Sequence, residues 1–308
     1  MTTLLYTHRA CIAHDPGPHH PESPSRLEAV WAALDAPEFA GLIRREAPRA
    51  TFEALERVHP RSHIDRTLAA VPAHGFAAID GDTFLSPGSG EAALRAAGAL
   101  VAAVDAVAAG EAKNAFCAVR PPGHHAEPST AMGFCLFNNA AVGALQARAV
   151  HGLRRVAIVD FDVHHGNGSQ AVVEHDPDLF YASTHQWPLY PGTGSVKETG
   201  LGNIVNRPLR AGAGGAEFRT AFGEWIMPAL GHFAPDLVIV SAGFDAHAAD
   251  PLAGLNLTEA DFVWVTEQLL GFAERYCGGR LVSTLEGGYD LDALAASTAA
   301  HVAALMAA

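Results

Sequence analysis

The chain alternates between short, uniformly apolar runs and longer stretches with helical spacing of apolar residues. The apolar runs are rich in Val, Ile and Ala without strict alternation, which is typical of strands buried on both faces of a parallel sheet. They lie at residues 115–120, 156–160, 179–184, 237–241 and 280–285. Helices are predicted at residues 90–109, 138–149, 216–233, 258–276 and 291–306, and another is predicted to begin near Ser25. This alternation predicts an α/β fold with a doubly wound, mostly parallel sheet.

Composition and charge then exclude some classes of protein. The chain has 308 residues, of which 49% are hydrophobic and 17% charged, as is typical of a globular protein. Since no linker, repeat or low-complexity tract divides it, we expect a single domain over residues 1–308. The formal net charge of −13 argues against nucleic-acid binding through overall charge, because phosphate affinity comes from clustered lysines and arginines. Surplus acid suits a cationic substrate, although it more often serves only solubility.

Three further features concern the cellular compartment. Arg95 and Asp105 interrupt the most apolar stretch, so it falls short of the about 18 apolar residues that a membrane span needs. The first 16 residues lack the basic and apolar blocks of a secretory signal. The four cysteines have no CxxC spacing, which is typical of buried thiols in a reducing compartment. We therefore expect a cytoplasmic protein that binds neither nucleic acid nor a membrane; its oligomeric state stays open.

A polar or glycine-rich segment follows every predicted strand. In an open parallel sheet, the carboxyl ends of the strands form the edge where ligands bind. The segments read PPGHH, FDVHHGNG, HQWPLYPGTG, AGFDAHAADP and EGGYD. They would bring His, Asp, Tyr and Gly residues to one edge of the sheet, and this convergence predicts an active site there.

The segment that begins at Asp160 carries the strongest chemical signal. If it starts as a strand, the alternation of side chains places Asp160, Asp162 and His164 on one face. Two buried carboxylates beside an imidazole need a cation or a protonated partner, because burying unpaired charge is costly. With Asp245, which follows the strand at 237–241, an Asp, His, Asp set would leave a coordination position open, as catalytic zinc sites do. A single strand-end acid could equally cap a helix or pair with an arginine.

Two other segments supply candidate acids, bases and hydrogen-bond donors. His124 and His125 follow the strand at 115–120, and imidazole suits a general base near neutral pH. Tyr289 follows two glycines, and its hydroxyl could polarise a carbonyl group opposite a metal. Each signal is weak alone, because paired histidines are common on surfaces and most such tyrosines only pack.

Five motifs together resemble the histone deacetylase superfamily, in particular its class II-like bacterial deacetylases and acetylpolyamine amidohydrolases. They read RPPGHHAE, GFCLFNN, VDFDVHHGNG, SAGFDAHAADPLAGLNLT and LEGGY, and the likeness extends from His20 to Tyr289. The resemblance implies the arginase/deacetylase fold, with a sheet of about eight strands flanked by helices. It also implies one zinc ion per chain, with iron(II) an alternative in the cell, a structural potassium ion, and hydrolysis of an N-acetyl amide to an amine and acetate.

The resemblance assigns residues to both ions. Asp162, His164 and Asp245 would ligate the zinc ion. The inner potassium site of the family corresponds here to Asp160, Asp162, His164, Ser183 and Thr184. The sequence itself shows only that oxygen ligands are available at these positions.

The resemblance also implies catalytic roles. His125 would be the general base and acid, while His124, held by Asp160, would provide electrostatic support. Tyr289 would hydrogen-bond the scissile carbonyl and its oxyanion. Asn167 would hold His125, and because an amide fixes a tautomer without supplying charge, we hypothesise that His125 has a lower pKa than His124.

The resemblance also implies substrate-binding positions, of which Tyr190 in WPLYPGTG and Asp82 in DGDTFLSP lie outside the five motifs. Gly133, Phe134 and Tyr190 would line a channel whose aromatic walls hold an alkyl chain. Asp82 could accept hydrogen bonds from the substrate backbone at the rim. Leu252 stands where polyamine-specific relatives tend to place an acidic residue, which favours an acylated lysine as substrate. Acetylpolyamines and other small acylated amines remain candidates.

Two other functions and one residue role stay open. A binuclear ureohydrolase of the arginase type shares the implied fold but needs more bridging ligands than HHGNG supplies. A catalytically silent binding protein would have no use for the complete set of site residues, and tyrosine at position 289, where a weakly active subset carries histidine, also favours activity. Arg26 could lie near an inner channel for acetate or form a buried ion pair.

Overall fold

The computed structural model describes residues 2–308 and contains one large sheet and one small hairpin. The strands are β1 (Thr3–Thr7), β2 (Ile43–Glu46), β3 (Ala77–Ala78), β4 (Phe84–Leu85), β5 (Asn114–Cys117), β6 (Val156–Asp160), β7 (Leu179–Gln186), β8 (Ile204–Leu209), β9 (Leu237–Ala242) and β10 (Leu281–Leu285). Eight of them form the large sheet in the order β2-β1-β5-β10-β9-β6-β7-β8, with every neighbouring pair parallel. The doubly wound, mostly parallel sheet is confirmed.

Helices cover both faces of this sheet. They are α1 (Pro24–Leu34), α2 (Phe52–Glu56), α3 (Arg61–Ala69), α4 (Ser89–Ala108), α5 (Asn139–His151), α6 (Asn167–Val173), α7 (Gly215–Ala221), α8 (Met227–Phe233), α9 (Glu259–Tyr276) and α10 (Leu291–Ala307). On one face α4 packs on α5, where Ile239 of β9 lies against Gly143. On the other face α10 packs on α1 and α9, and its Leu305 carbonyl accepts a hydrogen bond from Asn114 Nδ2 of β5. Along residues 2–308, helices long and apolar enough to cross a membrane are absent.

The strands predicted from apolar runs are the buried interior of the sheet. Every residue of β5, β6, β7, β9 and β10 is buried, which explains why these strands show no alternation of polar and apolar residues. The other three strands of the large sheet, β1, β2 and β8, lie nearer its edges and were not predicted. β2 reads IRRE with three exposed residues, and β8 contains Pro208, which an edge strand tolerates.

Some predicted boundaries were wrong. The strand predicted at 115–120 ends at Cys117, and the one predicted at 179–184 continues to Gln186. The helix predicted at 216–233 is divided by a π-helical turn at Phe222–Ile226, where the Met227 amide donates to the Phe222 carbonyl. Pro228 follows immediately and has no amide hydrogen, so regular helical hydrogen bonding cannot continue unchanged through this region.

Helix α4 approaches the 48–50 segment so closely that Gly98 has no space for a side chain. A Cβ there would lie 2.0 Å from the Pro48 carbonyl oxygen.

We expect Gly98→Ala to lower the free energy of unfolding by about 1–3 kcal/mol through overpacking, in spite of alanine's better helix propensity. Gly271, exposed in α9, is the matched control, because a Cβ there meets no atom within 4 Å apart from its chain neighbours and the nearby backbone of its own helix. Gly271→Ala should stabilise by up to about 1 kcal/mol. Urea unfolding of both variants checks this, and a Gly98→Ala protein as stable as wild type would contradict it.

Candidate active site

The polar segments meet at the carboxyl ends of β5, β6, β9 and β10, as the sequence predicts for a parallel sheet. Glycines leave space in these loops for the carboxylates of the site. A Cβ on Gly287 would lie 2.0 Å from Asp245 Oδ2, and one on Gly243 would lie 2.1 Å from Asp162 Oδ2. Any larger residue at these two positions would displace a carboxylate of the site.

Asp162, His164 and Asp245 form a buried cluster that fits a metal ion. Their ligand atoms lie within 4.8 Å of one another, and His164 Nδ1 is 3.1 Å from both Asp162 Oδ1 and Asp245 Oδ2. Backbone amides donate to the carboxylate oxygens that do not face His164. Gly287 N donates to Asp162 Oδ2 at 2.7 Å, and Val163 N donates to Asp245 Oδ1 at 2.8 Å. Burial and the negative charge of Asp162 raise the pKa of Asp245 to about 7. Two carboxylates and one imidazole crowded in this way are a donor set that a divalent cation would stabilise.

The two adjacent histidines have different partners. His124 Nδ1 lies 3.0 Å from Asp160 Oδ2, and His125 Nδ1 lies 2.8 Å from Asn167 Oδ1. Burial alone would lower the pKa of His124, but the carboxylates of Asp162 and Asp160 outweigh it and raise this pKa to about 10. The pKa of His125 falls well below its usual value because of burial and the nearby charges of His124 and His164.

The order of these two pKa values is the one expected from the sequence, but the reason for it was incomplete. The hydrogen bond that His125 Nδ1 donates to the Asn167 side-chain oxygen favours the charged form of His125 and so opposes the shift. Burial and the repulsion from His124 decide the outcome. A lack of charge on Asn167 is therefore a permissive condition rather than the main cause.

Glu286 is a buried member of the site whose role the sequence analysis missed. Its Oε2 accepts from the amides of Gly123, at 2.7 Å, and His124, at 3.2 Å, while its Oε1 accepts from Ser241 Oγ at 3.0 Å. Burial raises the pKa of Glu286 to about 7. The signal available was its position, because it directly follows β10 and precedes the two glycines.

Tyr289 lies beside Arg26, which is held in a buried ion pair. The Arg26 guanidinium is 4.9 Å from the centre of the Tyr289 ring and donates to the Gly288 carbonyl at 2.6 Å. It also pairs with Glu22 at 3.2 Å, so the ion-pair alternative for Arg26 is what the structure shows. Burial raises the pKa of the Tyr289 hydroxyl well above its usual value, which keeps it protonated as a hydrogen-bond donor.

Of the predicted channel residues, Tyr190 and Gly133 lie beside His125, and Phe134 lies beside Tyr289. The Tyr190 ring lies 5.1 Å from the His125 ring and is 38% exposed, so it reaches the surface. The Phe134 ring lies 6.0 Å from that of Tyr289. Gly133 has a φ of 56°, and a Cβ there would lie 2.5 Å from His125 Cδ2, so glycine is required for both reasons.

One residue connects Asp82 to Phe134, and one residue connects Leu252 to Tyr289. Thr83 Oγ1 accepts from the amide of Phe134 at 3.1 Å and donates to Asp82 Oδ1 at 2.9 Å. Asp250 accepts from the amides of both Leu252 and Tyr289, at 2.9 and 2.7 Å. Leu252 is 36% exposed.

Ser183 and Thr184 lie in β7 next to β6. Ser183 pairs in register with Asp160, and its hydroxyl lies 2.9 Å from His185 Nδ1. Thr184 Oγ1 is buried and has no hydrogen-bond partner among residues 2–308. The oxygen groups predicted for a potassium ion are therefore adjacent to the Asp160 segment.

Comparison with known proteins agrees with this fold. The profile of the histone deacetylase domain matches residues 20–305. Histone deacetylase 14, chloroplastic, of Arabidopsis thaliana is 39% identical, over 98% of this chain and 76% of that protein. The histone deacetylase-like amidohydrolase of Pseudomonas aeruginosa is 40% identical, over 93% of this chain and 81% of that protein. The crystal structure of the HDA15 HD domain superposes with a TM-score of 0.94 at 36% identity, covering 99% of this chain and 90% of that one. The chain has the arginase/deacetylase fold and belongs to the histone deacetylase family of hydrolases.

Proposed function

We propose that the protein is a zinc-dependent deacetylase that hydrolyses the N-acyl amide of an acylated lysine or a related acylated amine to a free amine and a carboxylate. The observation that carries this proposal is the buried Asp162, His164 and Asp245 cluster, with the His125 ring 5.9 Å from that of His164 and the Tyr289 hydroxyl within the field of Asp245 and Asp162. The named relatives support it, since they include deacetylases and an amidohydrolase.

Asp162, His164 and Asp245 would hold one zinc ion per chain, with iron(II) as an alternative. When bound, such an ion supplies a Lewis acid that polarises the acyl carbonyl and lowers the pKa of water. Within residues 2–308 this is the one cluster of at least three potential metal-ligating side chains, which favours a mononuclear site over the binuclear site of a ureohydrolase.

His125 would move the proton. Its Nδ1 is occupied by Asn167, so Nε2 is the atom that can accept a proton from the attacking water and later transfer it to the leaving amine. Tyr289 would donate a hydrogen bond to the carbonyl oxygen as the C–O bond to water forms and negative charge develops. His124, kept positively charged by Asp160, would stabilise the same negative charge. Breakage of the C–N bond then releases the amine and the carboxylate.

Phe134 and Tyr190 would form the apolar walls around the alkyl chain of the substrate, with Gly133 leaving space beside His125. Leu252, exposed at the rim, favours an acylated lysine. Acetylpolyamines are the second candidate, because the half-buried Asp82 lies near Phe134 and could attract a distal cation.

We also propose a structural potassium ion near β6 and β7. Ser183 beside Asp160, and the unpartnered Thr184 hydroxyl within the described chain, support oxygen coordination there.

We further propose a cytoplasmic location. All four cysteines are free and buried, which suits a reducing compartment; they are Cys11, Cys117, Cys135 and Cys277.

Loss of either proposed catalytic group should reduce the rate sharply. His125→Ala and Tyr289→Phe should each lower kcat/KM on an acetyl-lysine peptide by at least ~10²-fold, the scale for removing a general base or an oxyanion donor. His175→Ala and Tyr276→Phe, at exposed positions, are matched controls and should keep wild-type rates. Turnover retained in His125→Ala would exclude the mechanism proposed here.

Loss of a proposed metal ligand should be visible without an activity assay. Asp245→Ala should retain little zinc after dialysis, because two ligands remain of three. Elemental analysis of metal per chain measures this directly, with Asp65→Ala, at an exposed position, as the control. A full equivalent of zinc in Asp245→Ala would place the metal elsewhere.

Leu252, at the rim of the proposed channel, should favour acetyl-lysine peptides over acetylpolyamines. We expect kcat/KM for an acetyl-lysine peptide to exceed that for an acetylpolyamine by at least about tenfold, and Leu252→Glu to reduce this preference by attracting the distal amine. Leu201→Glu adds the same charge at an exposed position and serves as the control. A wild-type preference for the polyamine would instead implicate Asp82.

A further inference from the structure

The amide of Asn167 can face His125 in either of two orientations, and only one makes His125 a base at Nε2. The contact is 2.8 Å between His125 Nδ1 and the Asn167 side chain. If the amide oxygen faces His125, then Nδ1 must carry the hydrogen and Nε2 keeps its lone pair. If the amide nitrogen faced it, Nδ1 would have to accept, and the hydrogen would move to Nε2.

Glu127 decides between these orientations. Its Oε1 lies 2.9 Å from Asn167 Nδ2, and an ionised carboxylate can only accept hydrogen bonds. The sulfur of Met132, also an acceptor, lies 3.4 Å from the same nitrogen. Two acceptors therefore hold the NH₂ end of the amide, which turns its oxygen toward His125.

The backbone around Glu127 restricts the position of its side chain. Glu127 and Thr130 exchange backbone hydrogen bonds at 3.0 and 3.4 Å. The preceding residues pack tightly on the start of α6, where Ser169 N donates to the His124 carbonyl at 3.1 Å. A Cβ on Gly168 would lie 2.2 Å from the Ala126 carbonyl oxygen, so the loop and the helix meet at backbone distance.

We propose that Glu127 is a positioning residue that fixes the amide orientation of Asn167 and, through it, the Nδ1-protonated tautomer of His125. This rests on the proposed function only in giving His125 the task of a base. Glu127 acts through Asn167 and does not itself reach the reacting atoms. Hydrogen-bond partners behind metal-ligating residues contribute about 10–100-fold to activity, and we expect an effect of the same order from Glu127.

Kinetics of three variants test the proposal. Glu127→Ala should lower kcat by about 10–100-fold with KM nearly unchanged. Glu127→Gln should recover most of kcat, because the glutamine oxygen can also accept from Asn167. Ser129→Ala, at an exposed position of the same turn, should match wild type. A rise in KM for cationic substrates with kcat unchanged would overturn the proposal, since it would make Glu127 a rim charge.

The tautomer itself provides a readout that a general loss of stability would not change. In zinc-loaded protein with ¹⁵N-labelled histidine, the His125 resonances should show protonation at Nδ1 in wild type and a shift toward Nε2 in Glu127→Ala. An unchanged tautomer in Glu127→Ala would overturn the proposal whatever the rate. If wild type hydrolyses no acyl amide, the proposed function fails, and the tautomer still tests the role of Glu127.

A double-mutant cycle tests whether Glu127 acts through Asn167. The kcat of Glu127→Ala/Asn167→Ala should equal that of Asn167→Ala alone, because removal of the amide leaves Glu127 nothing to orient. Independent, multiplicative losses would contradict the proposal. If Glu127→Ala does not fold, Glu127→Met keeps the length of the side chain without the carboxylate and is used in the same comparisons.

Discussion

The structure depends on keeping four buried carboxyl groups together at one edge of the sheet. Asp160, Asp162, Asp245 and Glu286 are each fully inaccessible to solvent. An unpaired charge there would be very unfavourable, so each oxygen needs a donor or a cation. Backbone amides supply many of these donors, which means that the loops must follow the carboxylates closely. The paths of the loops at this edge are therefore determined by the need to place backbone amides next to the buried carboxylates.

A second buried charge cluster extends this requirement to the N-terminal segment. Glu22 pairs with Arg120 and Arg26 and lies 3.2 Å from His14. Burial alone would raise its pKa, but the charge of Arg120 and the contact with His14 hold this pKa well below the usual range. Arg26 in turn binds the carbonyls of Glu286 and Gly288. The helix that begins at Pro24 is thereby tied to the backbone just before Tyr289. Loss of Glu22 would leave two arginines buried without their carboxylate, which explains why an acidic residue is needed at this position.

The sequence predicted the centre of the sheet and the central residues of the site for the same reason. Strands buried on both faces are uniformly apolar, and the chemistry must lie where they end, so Asp160 and Asp162 could be placed from the run that precedes them. Edge strands such as Ile43–Glu46 have no such pattern because solvent covers part of them. Side-chain partners were predicted only where the family resemblance supplied them. The contact from Glu127 to Asn167 joins residues 40 positions apart, and spacing along the chain gives no indication of it.

His124 and His125 show why residue type alone does not define a catalytic role. The two are adjacent, both are buried, and their rings are 4.0 Å apart, yet their pKa values are shifted in opposite directions. Once Asp160 and Asp162 stabilise a positive charge on His124, a second positive charge on His125 becomes unfavourable. By making its neighbour cationic, the carboxylates lower the pKa of His125 indirectly, although the charge of Asp162 acting directly would raise it. An amide rather than a third carboxylate behind His125 preserves this difference, because a negative charge at position 167 would stabilise the imidazolium form of His125.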